Sequence, residues 1–99
     1  MNPIQKNKFL AYFLEIKDPN QQVEALIGVL RSEKAGRGSF RLLDLLPEDV
    51  VISKQAIKDA LKGRGDKLRR PGSPSDLVRR NAADILEIAP QELWPKLYK

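Results

Sequence analysis

The chain has 99 residues, 41% apolar and 31% charged, with a formal net charge of +5, the composition of an ordinary globular domain rather than a disordered one. It contains no cysteine and no histidine, which removes disulfides, thiolate metal sites and the commonest general base and metal ligand at neutral pH. A single domain over residues 1–99 is expected, with no enzymatic role, no metal or cofactor and no small-molecule substrate.

In chain order, Asn7 to Ile16 carries Phe9, Leu10, Tyr12, Phe13, Leu14 and Ile16 around most of a helix. Such a segment should bury more than one side, either as a central helix or as a homodimer contact. Asp18-Pro19-Asn20-Gln21 reads as the start of a second helix, with Asp18 as N-cap, Pro19 in the first position and Gln21 completing a capping-box spacing. Val23, Leu26, Ile27 and Leu30 follow at i, i+3, i+4 and i+7 as its buried stripe, and the helix should end near Lys34, before Gly36 and Gly38. Residues 1–35 thus form an N-terminal helical pair.

Ser39 is expected to cap a third helix, Phe40 to Leu46, with Phe40, Leu43 and Leu46 on one face and Pro47 ending it. The connector Val50-Val51-Ile52 is β-branched and prefers extended backbone. Ser53 then caps a fourth helix, Lys54 to Lys62, which Gly63 closes. Gly63 to Gly72 reads as a loop. Ser73-Pro74-Ser75-Asp76 repeats the start signal for a fifth helix, Pro74 to Leu86, which should bury Leu77, Val78, Ala82, Ile85 and Leu86. A last turn, Pro90 to Trp94, precedes Pro95. The expected class is all-α: a small bundle of about five helices, with a helix-turn-helix and C-terminal helix in residues 39–99.

The charge is not evenly spread. Lys54 to Arg80 holds nine bases against three acids, whereas residues 1–53 balance and residues 81–99 are slightly acidic. Basic charge gathered on one helix and the loop after it suggests a surface for a polyanion. In the fourth helix Ala56, Ile57, Ala60 and Leu61 should face the core, leaving Lys54, Lys58 and Lys62 as a row opposite, with Gln55 beside it. A short helix following another short helix and a tight connector matches a helix-turn-helix, whose second helix reads base edges in the major groove. Ser53, Lys54, Gln55 and Lys58 are the candidate base contacts, Gln suiting adenine and Lys suiting guanine or phosphate. Lys62, Arg64, Lys67, Arg69 and Arg70 are the candidate phosphate contacts, joined by Arg37, Ser39 and Arg41 ahead of the third helix.

Other motifs carry less. Gly63-Arg64-Gly65-Asp66-Lys67 lacks the spacing and the hydroxyl residue of a phosphate-binding P-loop. Arg64-Gly65-Asp66 is a chance adhesion tripeptide. Asp44, Glu48 and Asp49 suit helix ends and turns better than a magnesium site. No apolar run approaches the roughly 20 residues a membrane span requires. The N-terminus, MNPIQKNKF, does not have the form of a secretory signal, so a cytoplasmic location is expected.

The tail is the most specific stretch. Ala82-Ala83-Asp84-Ile85-Leu86-Glu87-Ile88-Ala89-Pro90-Gln91-Glu92-Leu93-Trp94-Pro95-Lys96-Leu97-Tyr98 resembles the C-terminal signature of the Ner-type helix-turn-helix repressors of Mu-like transposable phages. In that signature a helix leads into Pro-x-x-(Ile/Leu)-Trp-Pro-x-x-Tyr. Gln55 to Leu61 is similar, more weakly, to the recognition helix of that family. The resemblance implies a DNA-binding repressor with Trp94 and Tyr98 pinning the end of the chain to the core. The connector Pro47 to Ile52 and the loop Gly63 to Gly72 are both longer than the family's. The expected function is therefore a sequence-specific double-stranded DNA-binding transcriptional regulator of phage or mobile-element type, a repressor in sign. The alternative is a non-catalytic inhibitor or adaptor that sets its basic surface on an acidic protein. RNA binding fits less well, because few aromatics and no sheet are available for stacking.

Overall fold

A computed structural model of the chain describes residues 2–34, 40–63 and 71–98. Among these the architecture is all-helical: α1 Pro3–Glu15, α2 Pro19–Lys34, a 3-10 turn Leu42–Leu45, α3 Lys54–Leu61, α4 Pro74–Leu86 and α5 Pro90–Leu93. None of these helices is long and apolar enough to cross a membrane.

Helix α1 starts earlier than the apolar pattern suggests. Asn2 caps it: its side chain accepts the Gln5 N–H at 2.8 Å, the Gln5 side chain accepts the Asn2 N–H at 3.0 Å, and Pro3 takes the first turn. The expectation of burial on several sides is not met within this chain. Only Phe13 is fully buried, while Ile4, Tyr12 and Leu14 are exposed, so α1 is a covering helix and not a central one. Helix α2 follows its pattern closely, with Val23, Leu26, Ile27 and Leu30 all buried. At its start the Asp18 carboxylate accepts the Asn20 N–H at 3.0 Å, and the Gln22 amide reaches back to donate to the Phe13 carbonyl at 3.1 Å, tying α2 to the end of α1.

The expected third helix contracts to a 3-10 turn. Pro47 disfavours helical backbone at Leu46, which is extended (φ −123°, ψ 150°), and the Asp44 carboxylate accepts the Arg41 N–H at 3.0 Å, closing the turn tightly. With three residues per turn, Leu42 and Leu45 come to the same side. Leu45 is fully buried and Leu43 points out, whereas Phe40 and Leu46, expected on the same face as Leu43, are half-buried against the core. The expected Ser39 cap lies outside the described residues.

Helix α4 is the centre of the domain and packs against α2, α3, α5 and the 3-10 turn, most extensively against α3. Ser73 caps it by accepting the Asp76 N–H at 3.3 Å. Val78, Ala82, Ala83 and Leu86 are buried, whereas the expected Leu77 and Ile85 are half-buried. Its C-terminus is a Schellman cap: Glu87 adopts left-handed backbone (φ 55°), its N–H reaches Asp84, and the Ile88 N–H reaches the Ala83 carbonyl at 3.0 Å. That turn aims Ile88 into the core and delivers the chain to α5, where Leu93 and Trp94 are buried.

Candidate nucleic-acid interface

Helix α3 is capped by Ser53, whose hydroxyl accepts the Ala56 N–H at 3.1 Å. Ile57, Ala60 and Leu61 are fully buried and Ala56 is half-buried, so the inward face is the one its spacing predicts. Ser53, Lys54 and Gln55 are exposed at the first turn, and Lys58 is half-buried one turn on. The Gln55 amide donates to the Asp59 carboxylate at 3.1 Å along the same face. The lysine row does not continue evenly outward. The Lys62 side chain is only 13% exposed, with its ammonium 3.7 Å from Asp59. It also lines a groove of about 600 Å³ with Leu14, Ile16, Trp94 and Leu97. Spacing of four residues advances 40° around a helix, so two such steps carry Lys62 away from the direction of Lys54. Arg41 is exposed beside Asp44, at 3.5 Å. Arg37, Ser39, Arg64, Lys67, Arg69 and Arg70 lie outside the described residues.

The far end of α3 is held from behind. A helix ends with carbonyls that have no partner within the helix, and they concentrate partial negative charge. Here two of them are taken by side chains from other elements. Arg79 of α4 donates from Nη1 to the Ala60 carbonyl at 3.1 Å, and the Trp94 indole N–H donates to the Leu61 carbonyl at 2.9 Å. Asn81 of α4 likewise donates to the carbonyl of Leu45, at the end of the 3-10 turn. Side chains of α4 thus hold both preceding elements, Asn81 the 3-10 turn and Arg79 the end of α3.

Arg79 is 2% exposed, so it is not part of the cationic surface its sequence position suggests. Its charge is accommodated by the carbonyl end of α3 and by a polar chain behind it. Arg79 Nε donates to the Tyr98 hydroxyl at 2.9 Å, and that hydroxyl donates to Asp76 Oδ1 at 2.7 Å. Asp76 Oδ2 accepts from Arg80 Nε at 2.9 Å and from the Gly72 N–H at 3.0 Å. Burial alone pushes the Asp76 carboxyl up. The Gly72 N–H, the Tyr98 hydroxyl and the Arg80 guanidinium outweigh that push and hold it below its ordinary value. Tyr98 moves the other way: burial and the Asp76 carboxylate raise it, against the opposing pull of Arg79. Arg80 also lies over the Tyr98 ring, 5.1 Å from its centroid. Among the described residues no buried polar side-chain atom lacks a partner.

These supporting residues were legible in part. Arg79 heads an i, i+3, i+4, i+7 stripe with Ala82, Ala83 and Leu86, the same periodicity that marks a buried face. Asp76 and Arg80 stand at the i, i+4 ion-pair spacing. The partners Ala60, Leu45 and Tyr98 carry no local signal, since they lie 19 to 36 residues away in sequence. No three carboxylates among the described residues are gathered so as to hold a metal ion.

No protein-family model, no curated protein and no solved structure matches this chain.

Proposed function

We propose that the chain is a sequence-specific double-stranded DNA-binding transcriptional regulator, a repressor of phage or mobile-element type related to the Ner-type proteins its tail resembles. The observation that carries this reading is the setting of α3. It is an eight-residue helix pinned from behind at both of its last carbonyls, with Lys54 and Gln55 exposed at its opposite end. A rigidly backed helix with a free, polar first turn is what insertion into a major groove requires. The sequence that follows supplies Arg64, Lys67, Arg69 and Arg70, a run suited to phosphate.

The test separates reading from holding. Lys54→Ala and Gln55→Ala should reduce discrimination between the selected duplex and its single-base variants by roughly 1–3 kcal/mol. Arg69→Ala and Arg70→Ala should weaken binding to all duplexes alike and flatten its dependence on salt. If the loop variants altered sequence preference and the helix variants did not, α3 would not be the reading element.

A further inference from the structure

Three of the five most exposed large apolar side chains among the described residues lie on α1: Ile4 at 67%, Tyr12 at 60% and Leu14 at 51%. Leu14 belongs to the groove beside Trp94. The other two belong to a separate surface. Taking 100° per residue, Ile4, Lys8, Ala11 and Glu15 fall within an arc of roughly 60°, with Tyr12 on its flank. All five are exposed. The arc lies opposite Phe9 and Phe13, whose rings stack inward at 5.6 Å. The spacing 4, 8, 11, 15 is that of a coiled-coil seam, in which residues three and four apart form one continuous strip.

The charges on this strip choose its occupant. Lys8 stands on the N-terminal side of Ala11 and Glu15 on the C-terminal side. Laid parallel, two copies of α1 would set Lys8 against Lys8 and Glu15 against Glu15. Laid antiparallel, each Lys8 meets the other copy's Glu15, and the two-fold axis falls between Ala11 and Tyr12. There a small side chain in each copy faces a large one in the other. A surface complementary to itself under a two-fold rotation is what an isologous dimer needs. We propose that α1 is a homodimer seam: two copies pair antiparallel about Ala11 and Tyr12, clamped by two reciprocal Lys8–Glu15 ion pairs. Because α1 packs on α2 and α5, the seam does not use the first turn of α3.

The inference does not rest on the DNA-binding reading, and its test contains no nucleic acid. Sedimentation velocity on the full chain over a concentration series should show a reversible monomer–dimer equilibrium. Lys8→Glu alone and Glu15→Lys alone each place like charges together across the seam and should weaken the dimer about tenfold or more at low salt. The double variant Lys8→Glu/Glu15→Lys restores opposite charges in the antiparallel register and should return association to near its original strength. All three change exposed positions, and circular dichroism melts should confirm an unchanged fold. Tyr12→Asp, also exposed, gives an independent disruption of the apolar part. A chain that stays monomeric throughout, single variants that associate as well as the original, or a double variant as weak as the singles would each overturn the proposal.

Discussion

Glu87 is the one non-glycine among the described residues with left-handed backbone, at the Schellman turn between α4 and α5. A side chain there brings Cβ against the following carbonyl, at about 1–2 kcal/mol, and glycine relieves it. Its ion pair with Lys6, at 3.6 Å, involves a Glu87 side chain that is 78% exposed, and so contributes little. Glu87→Gly should therefore raise stability by about 0.5–1 kcal/mol, a rise of a few degrees in Tm for a domain of this size. Differential scanning calorimetry decides it. A lower Tm would mean that the left-handed residue is not under strain.

The Asp76–Tyr98 pair carries a second expectation at the same scale, in pH. Asp76 is lowered in the fold, so its carboxylate is the favoured form there. Its contribution is present above the unfolded value of about 3.9 and is lost as pH falls through the lower folded value. Tyr98 is raised, so its contribution is present below the unfolded value of about 10 and is lost as pH rises through the folded one. In urea titrations Asp76→Asn should be less stable than the original chain near neutrality, and the gap should narrow in acid. For Tyr98→Phe the gap should narrow in alkali instead. Gaps that stayed constant with pH would show that neither group's proton is linked to folding.

At the scale of elements, α3 depends on groups contributed by α4 and the tail. Trp94 is 6% exposed, donates to the Leu61 carbonyl and stacks at a tilt 6.4 Å from Tyr98. Trp94→Ala should cost about 3–5 kcal/mol of stability, the range for truncating a large buried aromatic. DNA binding should then fall only in proportion to the folded fraction. A Trp94→Ala chain with an unchanged melting temperature and lost binding would place the tail in direct contact with DNA or a partner.

The same elements show what the sequence could tell. Helices α2, α3 and α4 were legible to within a residue or so, because each combines an N-terminal cap signal with a 3.6-residue apolar stripe. The third helix is shorter than its pattern suggests because Pro47 and the Asp44 turn close it after four residues, which leaves Leu45 in the core and Leu43 outside while Phe40 and Leu46 still pack against it. For α1 the sequence leaves a central helix and a dimer contact open, because apolar content on a helix does not say whether the chain's own core receives it, and the exposure of Ile4, Tyr12 and Leu14 excludes the first. Of the candidate site, the exposed turn Ser53–Gln55 was legible from capping and charge. The polar network behind it was not, since each link joins residues far apart in sequence.

At the scale of the whole molecule, the charge of this domain is organised in two layers. Arg79 is drawn into the network behind α3, while Arg80, paired with Asp76, keeps half of its side chain exposed, and Lys54 stands exposed at the first turn of α3. A cationic surface holding a nucleic-acid backbone displaces condensed counterions, so its affinity must fall steeply with salt. A helix that reads a major groove must also prefer duplex DNA over single strands and RNA, because the RNA major groove is too deep and narrow for it. The most direct test is a fluorescence anisotropy titration of the full chain against labelled duplex DNA, single-stranded DNA and duplex RNA, from low to physiological salt. Tightest binding to duplex DNA, with affinity falling linearly on logarithmic axes as salt rises, is the expected result. No binding at low salt, binding indifferent to salt, or equal affinity for all three probes would contradict a DNA-reading role for α3.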